Sequence, residues 1–166
     1  IRAGQLDPNP ELKTLRETPT SLLTDAGNGL GHPAGKRTME RVLDKAAAAG
    51  AAFGAVRNSN HFGIAGYYAM LALDRDMIGI ASTNSVRYGA PTFGRDIMLG
   101  TNPLAFAIPA KSEPAFVLDF ATTTVPKGKL EVYNRKGKQL NPGWAIDANG
   151  HETLDPQVAL KGALLP

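Results

Sequence analysis

Cysteine is absent from this chain of 166 residues. That absence excludes a disulfide framework and a thiolate-held metal. Histidine is scarce too: His32, His61 and His151 are the three in the chain. They lie far apart and lack the short spacings of common metal sites, so no metal is expected. No long apolar run exists. The longest uncharged stretch, residues 58–73, contains Asn58, Ser59, Asn60, His61, Gly63 and Gly66, whereas a membrane span needs about 20 mostly apolar residues. The first residues do not combine a basic region, an apolar core and a small-residue cleavage site, which makes a cytoplasmic location the expectation. No G-x-x-x-x-G-K-[ST] loop supports a nucleoside triphosphatase. Gly27-Asn28-Gly29-Leu30-Gly31 offers only G-x-G-x-G, after Pro- and Gly-rich chain and not after a clear strand, so a Rossmann phosphate loop is not expected there. A serine nucleophile would pair Ser59 or Ser85 with His61, but neither serine stands in G-x-S-x-G and no acid is marked as orienter, which leaves a hydrolase a weak alternative.

What is present is an ordinary globular composition, 43% hydrophobic and 20% charged, from which one domain with one core is expected. The formal charge of +3 comes partly from Lys127, Lys129, Arg135, Lys136 and Lys138. No recognised nucleic-acid fold signature surrounds this cluster, so it reads as a solvated turn and nucleic acid is not an expected partner. Ile1 is not an initiator methionine, and Ala163-Leu164-Leu165 is an apolar run with no polar tail after it. Both ends therefore read as cut, and the tail is expected to pack on further sequence or a partner.

Along the chain, residues 1–35 carry Pro8, Pro10, Pro19, Pro33 and several glycines. Such density predicts an extended wrapping segment with one short amphipathic piece at residues 11–16. Apolar Met39, Val42, Leu43, Ala46 and Ala47 predict a helix over 36–49, ended by Gly50. Residues 52–56 read as a short buried strand that ends before His61. A helix over 64–76 and a strand over 77–83 follow. Residues 104–108 and 115–120 are strand-like, and 122–133 read as a helix with Pro126 in its first turn. The 141–156 region returns to Pro and Gly punctuation. Alternating strands and helices predict an α/β fold with a layered mixed sheet.

Two segments can carry chemistry. Residues 57–63, Arg-Asn-Ser-Asn-His-Phe-Gly, lie between a strand end and a helix start, where ligands are met in α/β sheets. The imidazole of His61 both takes and gives protons near neutral pH, with Asn60 or Ser59 available to fix its tautomer. The plain alternative is that His61 and its Asn neighbours cap a helix starting at Phe62 or Gly63 and satisfy turn backbone. Residues 119–124, Asp-Phe-Ala-Thr-Thr-Thr, put a carboxylate and hydroxyls at the mouth of a helix, a place suited to a dinucleotide phosphate. Here the alternative is a loop acceptor and threonine caps.

Arg57-Asn58-Ser59-Asn60-His61-Phe62-Gly63-Ile64-Ala65-Gly66-Tyr67-Tyr68 strongly resembles the malate/L-lactate dehydrogenase family. Further matches in family order are 25–31, 78–85, Gly100-Thr101-Asn102-Pro103, 117–122, Gly128-Lys129, Gly143-Trp144-Ala145 and 162–166. The resemblance implies a non-Rossmann fold and an oxidoreductase that moves a hydride between NAD or NADP and a small 2-hydroxy or 2-oxo acid such as malate or lactate. It implies a homodimer, with the active site between a cofactor domain and a helical or mixed partner region. It carries proton transfer onto His61 and dinucleotide contact onto Ser85, Asp119, Phe120 and Ala121. Asn60, Gly63, Asn102 and Pro103 match as candidates for substrate contact or site support. On this reading residues 36–166 are an incomplete cofactor-binding α/β domain. The family's S-H-G-x-x-R-like motif and a later lysine-containing segment are expected on either side of it. The alternative is a catalytically incomplete fragment or an assembly segment of such an enzyme.

Overall fold

Lys13–Thr18 (β1) and Ser21–Gly29 (β2) are joined by the tight Pro19-Thr20 turn and pair antiparallel, with a bulge between Thr14 and Arg16. This computed structural model describes residues 4–166, so Ile1 lies outside it. On β2 the side chains of Leu22, Thr24 and Ala26 are buried while their neighbours are half-buried, the alternation of a strand with one covered face. The cover is Gly31–Ala49 (α1), whose Thr38 hydroxyl donates to the Thr24 hydroxyl at 3.2 Å. Gly50 ends α1 in the left-handed conformation at φ 87°, and its N–H donates to Ala46 O. The chain returns as Phe53–Ser59 (β3), parallel to β2 with Ser21 opposite Phe53 and Asp25 opposite Arg57. The result is a β-α-β unit in a mixed sheet of order β1-β2-β3. A Cβ on Gly54 would stand 2.5 Å from Val42 Cγ2, so its glycine lets α1 lie close across β3.

Ala65–Met70 (α2) and a single 3-10 turn at Leu73–Arg75 lead to Gly79–Ser82 (β4). With Leu104–Ile108 (β5) and Phe116–Phe120 (β6) it forms a second sheet of order β4-β5-β6. Ala65 and Ala69 of α2 pack with Ala105 and Ala107 of β5. Small side chains are needed here, because even a Cβ on Gly79 would come 2.0 Å from Ala69 O.

Lys127–Arg135 (α3), Ala145–Ile146 (β7), Pro156–Ala159 (α4) and Ala163–Leu164 (β8) complete the described elements. β7 and β8 pair antiparallel. Val125, Leu130, Leu140, Ala145, Ala159 and Leu164 form a core with Tyr88, Tyr133 and Trp144 against it. Compact packing divides the chain into two units. One holds the residues up to Ala81 with Ala105–Leu118, the other Ser82–Leu104 with Asp119–Pro166. Among the described residues no helix is long and apolar enough to cross a membrane.

Several expectations are corrected. Residues 13–29 are strands, not a wrapping segment, and the amphipathic piece at 11–16 is largely β1. Helix α1 begins at Gly31, five residues before the predicted start, because Pro33 falls in its first turn, where a missing N–H costs no hydrogen bond. β3 is an exposed edge, with Phe53 76% exposed, where a buried strand was expected. The helix predicted over 64–76 is shorter and broken. The basic cluster at 127–138 lies mostly on α3, which starts after Pro126 and not at Thr122. The tail also packs on its own chain: Leu164 N–H donates to Tyr88 O, and Leu164 O accepts from Ala90.

Candidate functional site

The first constellation lies at the carboxyl ends of the parallel neighbours β2 and β3. Asp25, on β2, accepts from the Gly27 N–H at 2.9 Å and from the Asn58 amide at 3.0 Å, and its other oxygen takes Arg57 Nε at 2.9 Å. The Gly27 N–H, then the Asn58 amide, then Arg57 hold the Asp25 carboxyl below the ordinary carboxylate range against a smaller opposing effect of burial. Asn60 Nδ2 donates to Asn28 O at 2.9 Å, Asn28 Oδ1 at 3.1 Å and Gly29 O at 3.2 Å. Its backbone N–H donates to Gly29 O, and Gly31 N–H donates to His61 O. The two strand ends are thereby laced together on both sides of Asn60. The glycines serve this approach: a Cβ on Gly31 would stand 2.5 Å from Asn60 O, and one on Gly29 2.2 Å from Pro10 Cγ. The G-x-G-x-G segment is therefore the end of a true strand before a helix, contrary to the sequence reading.

His61 follows directly. Its Nδ1 accepts the Gly63 N–H at 3.0 Å, and Gly63 has φ 86°. Neither Asn60 nor Ser59 fixes the ring; the Gly63 backbone does. A neutral imidazole with Nδ1 as acceptor carries its hydrogen on Nε2. Of the plain alternative, helix capping does not hold, since α2 starts at Ala65 and has no side-chain cap, while the satisfaction of turn backbone by His61 and Asn60 does. Beyond Gly63, Tyr68 stacks on Phe62 at 4.8 Å and donates its hydroxyl to Phe62 O. Burial, and secondarily Tyr67, raises the Tyr68 phenol above its usual value. A residue not singled out in the sequence also arrives here. His32, in the first turn of α1, has its ring centroid 6.3 Å from that of His61.

The second constellation belongs to the other unit. Ser85 Oγ accepts the Thr101 N–H at 2.9 Å and lies 3.0 Å from Thr101 Oγ1, while Ser85 N–H donates to Asn102 Oδ1 at 3.1 Å. Pro103 O accepts from Thr83 N–H. Asn102 sits at φ 34°. Gly100 is essential to this knot, because a Cβ there would come 2.4 Å from Ser85 Oγ and 2.6 Å from Asn102 Oδ1. Thr101 O in turn accepts both the N–H and the hydroxyl of Thr122, which follows Asp119, Phe120 and Ala121. Thr124 bonds Pro166 O and Thr123 bonds Val125 O, so these threonines tie loops and do not cap α3. Asp119 and Phe120 are exposed at the end of β6. Thr101, part of the Gly100-to-Pro103 match but given no role by the sequence, is the hub. The result is a closely packed turn of hydroxyls, amides and glycine backbone whose polar groups bond one another.

The sequence pattern of the malate/L-lactate dehydrogenase family matches residues 1–166. The malate dehydrogenase of Pyrococcus abyssi is 47% identical over 167 residues, covering 100% of this chain and 46% of its own length. The L-sulfolactate dehydrogenase of Methanocaldococcus jannaschii is 42% identical over 166 residues, covering 100% of this chain and 48% of its own length. The crystal structure of malate dehydrogenase from Entamoeba histolytica superimposes with a TM-score of 0.92 at 39% identity, over 99% of this chain and 47% of that one. The chain spans about half the length of the curated relatives it matches.

Proposed function

The chain belongs to the malate/L-lactate dehydrogenase family, and from that premise we propose that it serves a nicotinamide-dependent oxidoreductase interconverting a small 2-hydroxy acid and its 2-oxo acid. The observation that carries the reading is His61, held at the carboxyl end of a parallel strand pair by bonds to its backbone and its ring. A bound nicotinamide dinucleotide supplies the hydride acceptor for oxidation and the donor for reduction. His61 handles the proton. In the reductive direction its imidazolium protonates the oxygen on which negative charge develops; in the oxidative direction it receives the hydroxyl proton.

Ser85, Asp119, Phe120 and Ala121 are assigned to dinucleotide contact. The bonds around Ser85 support a division of labour there: its hydroxyl braces the Thr101 turn, and the turn as a whole meets the cofactor. Asn60 and Gly63 support His61, as Asn102 and Pro103 support the Ser85 turn. The reading includes a cytoplasmic homodimer. Phe53, Ile64, Tyr67, Met70 and Ile80 are exposed large apolar side chains, and burying such side chains against a second copy would favour association.

The test is a parallel fluorescence titration with NADH and NADPH, followed by initial rates with oxaloacetate, pyruvate and other 2-oxo acids. Saturable binding and substrate-dependent oxidation of one dinucleotide are expected. Lack of binding to either would refute the cofactor assignment.

A further inference from the structure

We propose that His32 is a second histidine of the substrate site, donating a hydrogen bond to the carboxylate of the same 2-hydroxy or 2-oxo acid whose adjacent oxygen His61 serves. This rests on the reading of His61 given above. Three observations carry it. Both histidines stand immediately beyond the carboxyl ends of adjacent parallel strands, His32 after β2 and His61 after β3. Their nearness is imposed by the backbone and by Asn60. Gly31, the residue before His32, donates to the carbonyl of His61, while Asn60 is bonded to Asn28 and Gly29. The His32 ring also lies against the very turn that holds His61, its Nε2 being 2.8 Å from where a Cβ on Gly63 would stand. A side chain at position 63 would meet the His32 ring.

His32 is an exposed residue and belongs to none of the hydrophobic core clusters. With centroids at 6.3 Å and planes tilted by 35°, the two imidazoles are too far apart to bond each other directly. They are close enough for one small molecule to bridge, each ring nitrogen about 2.8 Å from its own oxygen. A 2-hydroxy acid presents suitable oxygens on neighbouring carbons. Once one oxygen is fixed at the proton-transferring ring, the carboxylate must lie beside it, where an N–H donor binds an anion more strongly than it binds a neutral group.

The chain's three histidines permit a direct experiment. In carbon–proton correlation spectra, their ring Cε1–H signals are assigned with His32→Ala, His61→Ala and His151→Ala, and oxamate is titrated into the full chain with NADH present. Oxamate is a non-reducible mimic of a 2-oxo acid. Signals of His32 and His61 are expected to shift with one common dissociation constant while His151 stays still. In the rate assay His32→Ala should raise KM for the 2-oxo acid by about 10- to 100-fold, the value of one hydrogen bond to a charged group. Its kcat and NADH affinity should change far less, and His32→Gln, which keeps a donor, should recover most of the loss. A saturable shift of His61 without His32, or an unchanged KM in His32→Ala, overturns the role of His32 and leaves that of His61 standing. Stillness of both signals overturns both. The spectra decide even without measurable turnover.

Discussion

Asp25 touches no candidate reacting group, yet the approach to His61 depends on it. Its carboxylate gathers the Gly27 N–H, the Asn58 amide and the Arg57 guanidinium at the end of β2, and Asn58 itself sits at φ 51°. These bonds favour the ionised form and hold its pKa down. Such a group stabilises the fold fully above the unfolded carboxylate value, about 3.9, and the contribution fades as pH falls through the lower folded value. Asp25→Asn is therefore expected to lower the thermal midpoint at pH 7, and the two proteins should converge as acidification below the free carboxylate value protonates the folded carboxyl. A gap that does not narrow as the pH falls below the free carboxylate value would contradict this account. The sequence made His61 legible because a lone imidazole between a strand and a helix is locally recognisable. The links from Asp25 to Arg57 and Asn58, and the meeting of His32 with His61, were not legible. They arise from parallel strand pairing between residues some thirty positions apart, which no local spacing records.

At the scale of elements, legibility follows the presence of a periodic apolar face. Helix α1 has one, and its end at Gly50 was read correctly. β5 was found residue for residue, and β6 to within one residue. β1 was missed because all but one of its side chains are exposed; its sequence shows no apolar alternation, and its pairing rests on backbone bonds to β2. The two-residue strands β7 and β8 are too short to have a period at all. Two glycines separate backbone conformation from space. Gly50 has φ 87° and open surroundings, so Gly50→Ala should cost about 1–2 kcal/mol, the penalty of a left-handed alanine. Gly79→Ala meets the Ala69 carbonyl at 2.0 Å and should cost more, about 3 kcal/mol, as backbone must move. Urea denaturation of the two variants measures the difference; equal losses would show that α2 yields freely above β4.

Across the whole molecule, a single domain was expected and two compact units are found. Each is made of two separate stretches of chain, so no linker-like composition marks the passage at Ala81, Leu104 or Leu118. In the second unit the core closes around Leu130, 1% exposed, and Leu130→Ala should cost about 2–5 kcal/mol by calorimetry or urea denaturation. That loss is independent of the chemistry assigned to His61. The most direct test of the central claim compares wild type with His61→Ala in the initial rate of reduced-nicotinamide oxidation by a 2-oxo acid, with dinucleotide affinity measured on the same samples. Proton transfer at His61 predicts a fall in kcat of about 10²- to 10⁴-fold with affinity for the dinucleotide nearly unchanged. Undiminished turnover in His61→Ala would contradict the account.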